Sequence, residues 1–191
     1  MKSRFRVLGA ALLVAALQIG FLAALVEGRA SILRDGREVL LKVEPVDPRD
    51  LLRGDYVRLG YAISTLDRSL FADQEALLAH DAEIMVRLAP GGDDGLWQAV
   101  GARPAGPPAV VDDADTVEIA GRIDGNPGGS ETVRVTYGIE RFYLPEGQGR
   151  PIERDLSVRP FRMLVAVADD GQAQIKAFFD GQQRLFEEAP Y

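Results

Sequence analysis

From Val7 to Val26 the chain is polar only at Gln18, and Glu27 ends the run. About 20 residues at 1.5 Å rise reach across a hydrocarbon core of about 30 Å, so residues 7–26 are predicted to be a helix in the lipid bilayer. Lys2, Arg4 and Arg6 precede it. The positive-inside rule then places the N-terminus in the cytoplasm and exports the remainder. In a diderm bacterium that means an inner-membrane protein with a periplasmic domain. The competing reading is a cleaved signal peptide, because Gly28 and Ala30 before Ser31 form a small-x-small site. Signal peptides carry an apolar region of only about 7–15 residues, so a retained anchor is expected. Ala16, Gly20 and Ala24 stand four apart, the spacing that lets membrane helices approach closely, although an Ala-rich run also produces it by chance.

Beyond residue 37 the period falls to two. In "EVLLKVEPV" Val39, Leu41 and Val43 share one face, and Leu40, Lys42 and Glu44 the other. In "YVRLGYAI" Val57, Leu59, Tyr61 and Ile63 point one way, which predicts a second strand. "DRSLFADQEALLAH" predicts a short helix N-capped by Asp67, with Leu70, Leu77 and Leu78 as its apolar stripe. Three hairpins follow: "EIMVRLAP" and "LWQAVGAR" around "GGDDG", "TVEIAGRI" and "TVRVTYGIERFYL" around "DGNPGGS", and "FRMLVAVA" and "QAQIKAFFDG" around Asp169-Asp170-Gly171. The Pro-rich stretch 104–115 and "PEGQGRPIERDL" read as loops, the latter opening a short helix near Pro151. The pattern thus predicts a mainly β protein, an antiparallel β-sandwich or partly open barrel of roughly eight strands with one or two short helices, behind an N-terminal transmembrane helix. The expected divisions are an anchor over 1–27, a juxtamembrane linker over 28–37 and an extracytoplasmic β-rich domain over 38–191.

Composition narrows the chemistry. The 191 residues include no Cys and one His (His80), with a net charge of −7. Thiolate nucleophiles, disulfides and most zinc sites are excluded, and a Ser–His–Asp arrangement is disfavoured. An acidic chain lacks the basic footprint of a nucleic-acid binder, so no nucleic-acid partner is expected. The acidic stretches 91–95 and 112–118 lack the ligand spacing of an EF-hand loop, and no cofactor or metal is expected.

Two stretches concentrate Arg, Tyr and acid. In "VDPRDLLRGDYVRLGY" (46–61), Asp47-Pro48 and Arg53-Gly54-Asp55 are turn chemistry. That accounts for Pro, Gly and both Leu, but not for Arg49, Asp50, Arg53 and Asp55 beside Tyr56. Such Arg–carboxylate groups either lock a loop internally or present a recognition surface. In "YGIERFYLPEGQG" (137–149), Glu140, Arg141, Tyr143 and Glu146, with Glu153 just beyond, crowd an irregular segment after Tyr137 and Ile139. Either a β-bulge with a Gly-rich turn or convergence with the first stretch explains it.

Gly54-Asp55-Tyr56-x-x-Leu59-x-Tyr61 fits every named position of the signature of the GDYXXLXY protein family, and the 137–149 block resembles that family's second landmark. The resemblance spans essentially the whole chain. It implies a bacterial, membrane-anchored accessory component without an assigned activity, encoded beside polytopic membrane proteins.

"LLRGDYVRL" also resembles the "GD" strand of type I signal peptidases, which need a Ser nucleophile ahead of it and a neutral Lys base. Pro45, Val46 and Asp47 fill the stretch where that Ser belongs, and Lys42 and Lys176 are the only lysines after the apolar run. The expectation is therefore a non-enzymatic module contacting a polytopic membrane protein through Arg49, Asp50, Arg53, Gly54, Asp55, Tyr56, Leu59, Tyr61, Arg141, Tyr143 and Glu146. The alternative is a hydrolase or small-ligand-binding domain with its site between the same two blocks.

Overall fold

The computed structural model describes residues 2–45, 56–71, 81–91, 94–106, 115–125, 130–143, 152, 155 and 158–188, with backbone alone at 2–6, 56, 57 and 143. A single long helix, α1 (Lys2–Asp35), opens the chain. Its apolar side chains from Val7 to Val26 are exposed on every side, and its mean hydropathy of 2.3 and length suffice to cross a membrane. The helix does not stop where the apolar run stops. Most of the stretch read as a connection is helical up to Asp35, and Gly36 N–H then closes the last turn on Ile32 O at 2.9 Å.

Behind α1 lies a mainly β domain of two five-stranded antiparallel sheets. The first has the order β12 (Gln183–Glu187), β11 (Ala173–Asp180), β10 (Phe161–Val167), β1 (Arg37–Glu44), β3 (Gly60–Tyr61). The second runs β4 (Thr65–Asp67), β8 (Thr132–Thr136), β7 (Val117–Ile123), β5 (Glu83–Gly91), β6 (Leu96–Pro104). A two-stranded ribbon, β2 (Tyr56–Arg58) with β9 (Arg141–Tyr143), completes it. The period-2 alternation of β1 is realised as expected: Val39, Leu41 and Val43 are buried in the core, with Met163, Val165 and Val167 of β10 beside them. The three predicted hairpins form as β5–β6, β7–β8 and β10–β11, but the strand expected from Thr132 onward ends at Thr136, and β9 resumes at Arg141 in the separate ribbon.

Three local readings need correction. Residues 56–63 are not one strand. They make β2, then β3 in a different sheet, then a 3₁₀ turn over Ala62–Ser64, so one run of alternation serves three elements. The C-terminal "QRLFE", beyond the last expected strand, is β12, paired along β11 with Phe186 opposite Phe178. Asp67 does cap a helical turn, accepting Ser69 N–H at 2.8 Å, but the turn is a 3₁₀ segment over Arg68–Leu70, and Phe71 then bridges Ala102. Leu77, Leu78 and His80 lie outside the described residues.

Two joints hold the layers together. The tip of the β10–β11 hairpin meets the second sheet, where Gly171 O accepts Ala120 N–H at 2.9 Å. Gly171 has φ +86°, and a Cβ there would fall 2.5 Å from Met85 Cε and 2.8 Å from Ala120 N, so only glycine fits. At the other joint, the end of α1 packs on β10 and β11. Ala30, Ile32 and Leu33 are only 5%, 7% and 8% exposed. Ala166 and Ala177, whose register turns them away from the core, are buried on the outer face that carries the helix. Lys176 Nζ donates to Leu33 O at 3.2 Å and pairs with Glu38 at 2.7 Å, placing a cation at the helix C-terminus.

Candidate functional site

The two Arg/Tyr/acid-rich blocks meet. β2 and β9 pair antiparallel with Tyr56 opposite Tyr143, Val57 opposite Phe142 and Arg58 opposite Arg141. The ladder continues past the ribbon, since Leu59 N–H donates to Glu140 O at 2.8 Å. Two side-chain bonds then fasten the blocks. Tyr61 Oη donates to Ile139 O, and Tyr137 Oη donates to Ile63 O, each at 2.6 Å. The clasp is reciprocal because the chain carries the same tripeptide pattern twice, Tyr61-Ala62-Ile63 and Tyr137-Gly138-Ile139. Each ring reaches the carbonyl two residues beyond the other.

Both rings are buried, and burial, reinforced by the nearby Glu140 carboxylate, pushes both phenol pKa values far above their usual range. The hydroxyls are therefore fixed as neutral donors. Glu140 further ties the corner by accepting Tyr137 N–H. Gly121 on β7 leaves the space that the Tyr137 ring needs, for a Cβ there would lie 3.1 Å from Tyr137 Cε1 and 2.6 Å from Val135 Cγ1. Beneath the ribbon, the Phe142 ring meets Phe178 at a tilt and Phe186 edge to face, with ring centroids 5.4 and 5.0 Å apart, which seats β9 on β11 and β12.

This geometry divides the candidate residues into three groups. Leu59 and Tyr61, 1% and 2% exposed, belong to the core and the clasp, and offer nothing to a partner. Arg141 is exposed on the ribbon, opposite the exposed Arg58. Tyr56 and Tyr143 are placed by their backbones as a cross-strand pair at one end of that ribbon. Arg49, Asp50, Arg53, Gly54, Asp55 and Glu146 lie outside the described residues. The pairing of Tyr56 with Tyr143 nevertheless fixes where they begin: the chain enters β2 from Asp55 and leaves β9 toward Leu144 at the same end of the ribbon. The sequence reading left Tyr137 out of the site, and the repeated Tyr-x-Ile pattern was the available signal for its partnership with Tyr61.

A second polar cluster lies on the outer face of the other sheet. Glu118 of β7 is buried and takes Arg103 of β6 in a two-pronged fork, with Nε at 3.0 Å, and Arg87 of β5 at 3.4 Å. Hydrogen bonding and charge from Arg103 hold its carboxyl below the usual carboxylate range against the opposing effect of burial. That carboxylate, the last in the 112–118 acidic stretch, is committed to guanidinium partners. Among the described residues no group of three or more His, Asp or Glu is arranged to hold a metal ion. Lys176, one of the two lysines weighed as a base, is bonded to the helix end and Glu38.

A single apolar helix built into a double-sheet β domain, whose two signature blocks clasp each other, defines the class of protein. Within that class the assignment is specific: the chain belongs to the GDYXXLXY protein family, whose model matches residues 18–178. No curated protein and no solved structure matches the chain.

Proposed function

We propose that this protein is a single-pass inner-membrane accessory module, N-terminus in the cytoplasm and β domain in the periplasm, that contacts a polytopic membrane partner through the ribbon end of the clasp. The observation that carries this reading is the pairing of Tyr56 with Tyr143. It brings the two Arg/Tyr/acid-rich blocks side by side in one ribbon, while Leu59 and Tyr61 turn inward to hold that ribbon in place. Arg, Tyr and acid are the composition of a protein-binding hot spot. The same groups carry no nucleophile–base pair that the sequence would supply for hydrolysis.

Retention of the anchor is supported by the burial of Ala30, the residue before the candidate cleavage point, and of Ile32 and Leu33 just after it. Cleavage after Ala30 would remove part of the face packed on the first sheet. The membrane segment has a free side as well. At about 100° per residue, Ala16, Gly20 and Ala24 lie roughly 150° around the helix from the docked residues. A partner helix can therefore use the small-residue face without meeting the domain.

The test is co-purification in mild detergent of the intact protein against Asp55→Ala, Tyr56→Ala and Glu146→Ala variants with unchanged melting temperatures. Loss of one defined membrane protein from the variants is the expected outcome. Equal recovery of that protein by folded variants, or recovery of none by the parent, sinks the reading.

A further inference from the structure

We infer that α1 and the β domain form one rigid body, so that the helix sets the height and heading of the clasp over the membrane. This rests on the retained-anchor reading above. A single-pass protein with a loose juxtamembrane segment can swivel. Here three independent restraints act between Ala30 and Glu38. The first is packing: Ala30, Ile32 and Leu33 are buried on the outer face of the first sheet, where the small side chains of Ala166 and Ala177 leave room for close approach. The second is polar: Lys176 holds the Leu33 carbonyl and the Glu38 carboxylate together, joining β11, the helix end and the start of β1 with one ammonium group. The third is the connection. Gly36 alone separates α1 from β1, and its N–H is already bonded to Ile32 O.

The consequence runs straight to the signature. β1 is one unbroken eight-residue strand, and its last two residues, Val43 and Glu44, pair with Tyr61 and Gly60. Helix end and clasp are thus opposite ends of one strand, paired with β10 over Arg37–Lys42 and with β3 at Val43 and Glu44. The domain also starts close to the bilayer. Residues 27–35 add only about 13 Å of helix beyond Val26, on the order of the headgroup layer plus one turn. A tilt or rotation of α1 imposed by a neighbouring membrane helix is therefore delivered to the ribbon as a movement of the whole domain, with no hinge to absorb it.

The absence of Cys makes the test direct. The full chain in phospholipid nanodiscs would carry spin labels at Arg29→Cys and Lys42→Cys, both exposed positions, and the distance distribution would be measured by pulsed electron resonance. A single narrow peak is expected. Inserting Gly-Ser-Gly-Ser between Asp35 and Gly36 should at least double its width, and Lys176→Gln with Glu38→Gln should broaden it by a smaller factor, with the melting temperature confirming a folded sheet in each case. A parent distribution as broad as that of the insertion variant overturns the inference, and so does an insertion that leaves the peak narrow. Intact mass decides separately whether residues 1–30 are retained: their loss removes the anchor reading, whereas a full-length protein with a broad peak removes only the rigid joint.

Discussion

Tyr61 and Tyr137 hold each other's segments: each hydroxyl donates, at 2.6 Å, to the carbonyl two residues beyond the other ring. Both bonds are buried, and both join segments more than 70 residues apart in sequence. Removing either hydroxyl leaves a buried carbonyl with one acceptor site unmet, which costs about 1–3 kcal/mol. Tyr61→Phe and Tyr137→Phe should each lower the unfolding free energy measured by urea denaturation by that amount. Because the two bonds close one loop of structure, the double variant should be non-additive by about 0.5 kcal/mol or more. Strict additivity in that cycle would mean that the bonds act independently and that there is no clasp.

The same two phenols make the fold sensitive to alkali. Their folded pKa values are raised by burial and by Glu140. A group with a raised folded value stabilises fully below its unfolded value, near 10 for tyrosine, and loses that contribution as pH rises above it. Each should cost about 1.4 kcal/mol per pH unit above that point. Unfolding free energy measured from pH 9 to 11.5 should therefore bend downward near pH 10, with a slope about half as steep in Tyr61→Phe. A parent curve flat to pH 11.5 would contradict the burial of both hydroxyls.

Gly171→Ala tests the other joint. The new methyl group would sit 2.5 Å from Met85 Cε and 2.8 Å from Ala120 N, on a backbone at φ +86°. A strained non-glycine residue of this kind costs on the order of 1–3 kcal/mol before the collision is counted. For a domain of this size that is a fall of several degrees in melting temperature, at about 2–4 °C per kcal/mol. Gly95→Ala, also at positive φ (+71°) but with nothing within 4 Å, serves as the comparison and should lose less.

Glu118→Gln separates the buried fork from ordinary surface charge. Arg103 and Arg87 hold the carboxyl below its usual range. A depressed folded value gives stability that is complete above the unfolded value, near 4.3, and is lost as pH falls below it. At pH 7 the variant should be less stable than the parent by about 1–3 kcal/mol, the range for a hydrogen bond to a charged group. The gap between the two should narrow as pH drops below about 4. A gap that stays constant to pH 3 would show that Glu118 contributes shape and not charge.

Much of the scaffold was legible because burial imposes a period. Val39, Leu41 and Val43 alternate and are buried, and the Asp169-Asp170-Gly171 turn announces its hairpin. What escaped was decided by long-range pairing. Leu59 and Tyr61 keep the alternation of one strand although the chain changes sheets between Arg58 and Gly60, since inward-facing side chains obey the same period in either sheet. β12 was missed because four of its five residues are exposed, so no alternation marks it, and only Phe186 points to its neighbours Phe142 and Phe178. The site divided along the same line. A signature motif does not distinguish a residue that holds the fold from one that meets a partner, and Tyr61 and Asp55 look alike until one of them is seen bonded inside.

The place of β1 in the first sheet has a consequence for how the domain comes into being. β1 follows the membrane helix immediately, yet its neighbour β10 begins more than 110 residues later in the chain. The strand made earliest in the domain must wait for that partner until nearly the whole polypeptide has been synthesised. Pairings of such long sequence separation form slowly. Completion of the first sheet therefore waits for β10, β11 and β12, and a chain cut short before β10 would leave Arg37–Lys42 of β1 without the strand it pairs with.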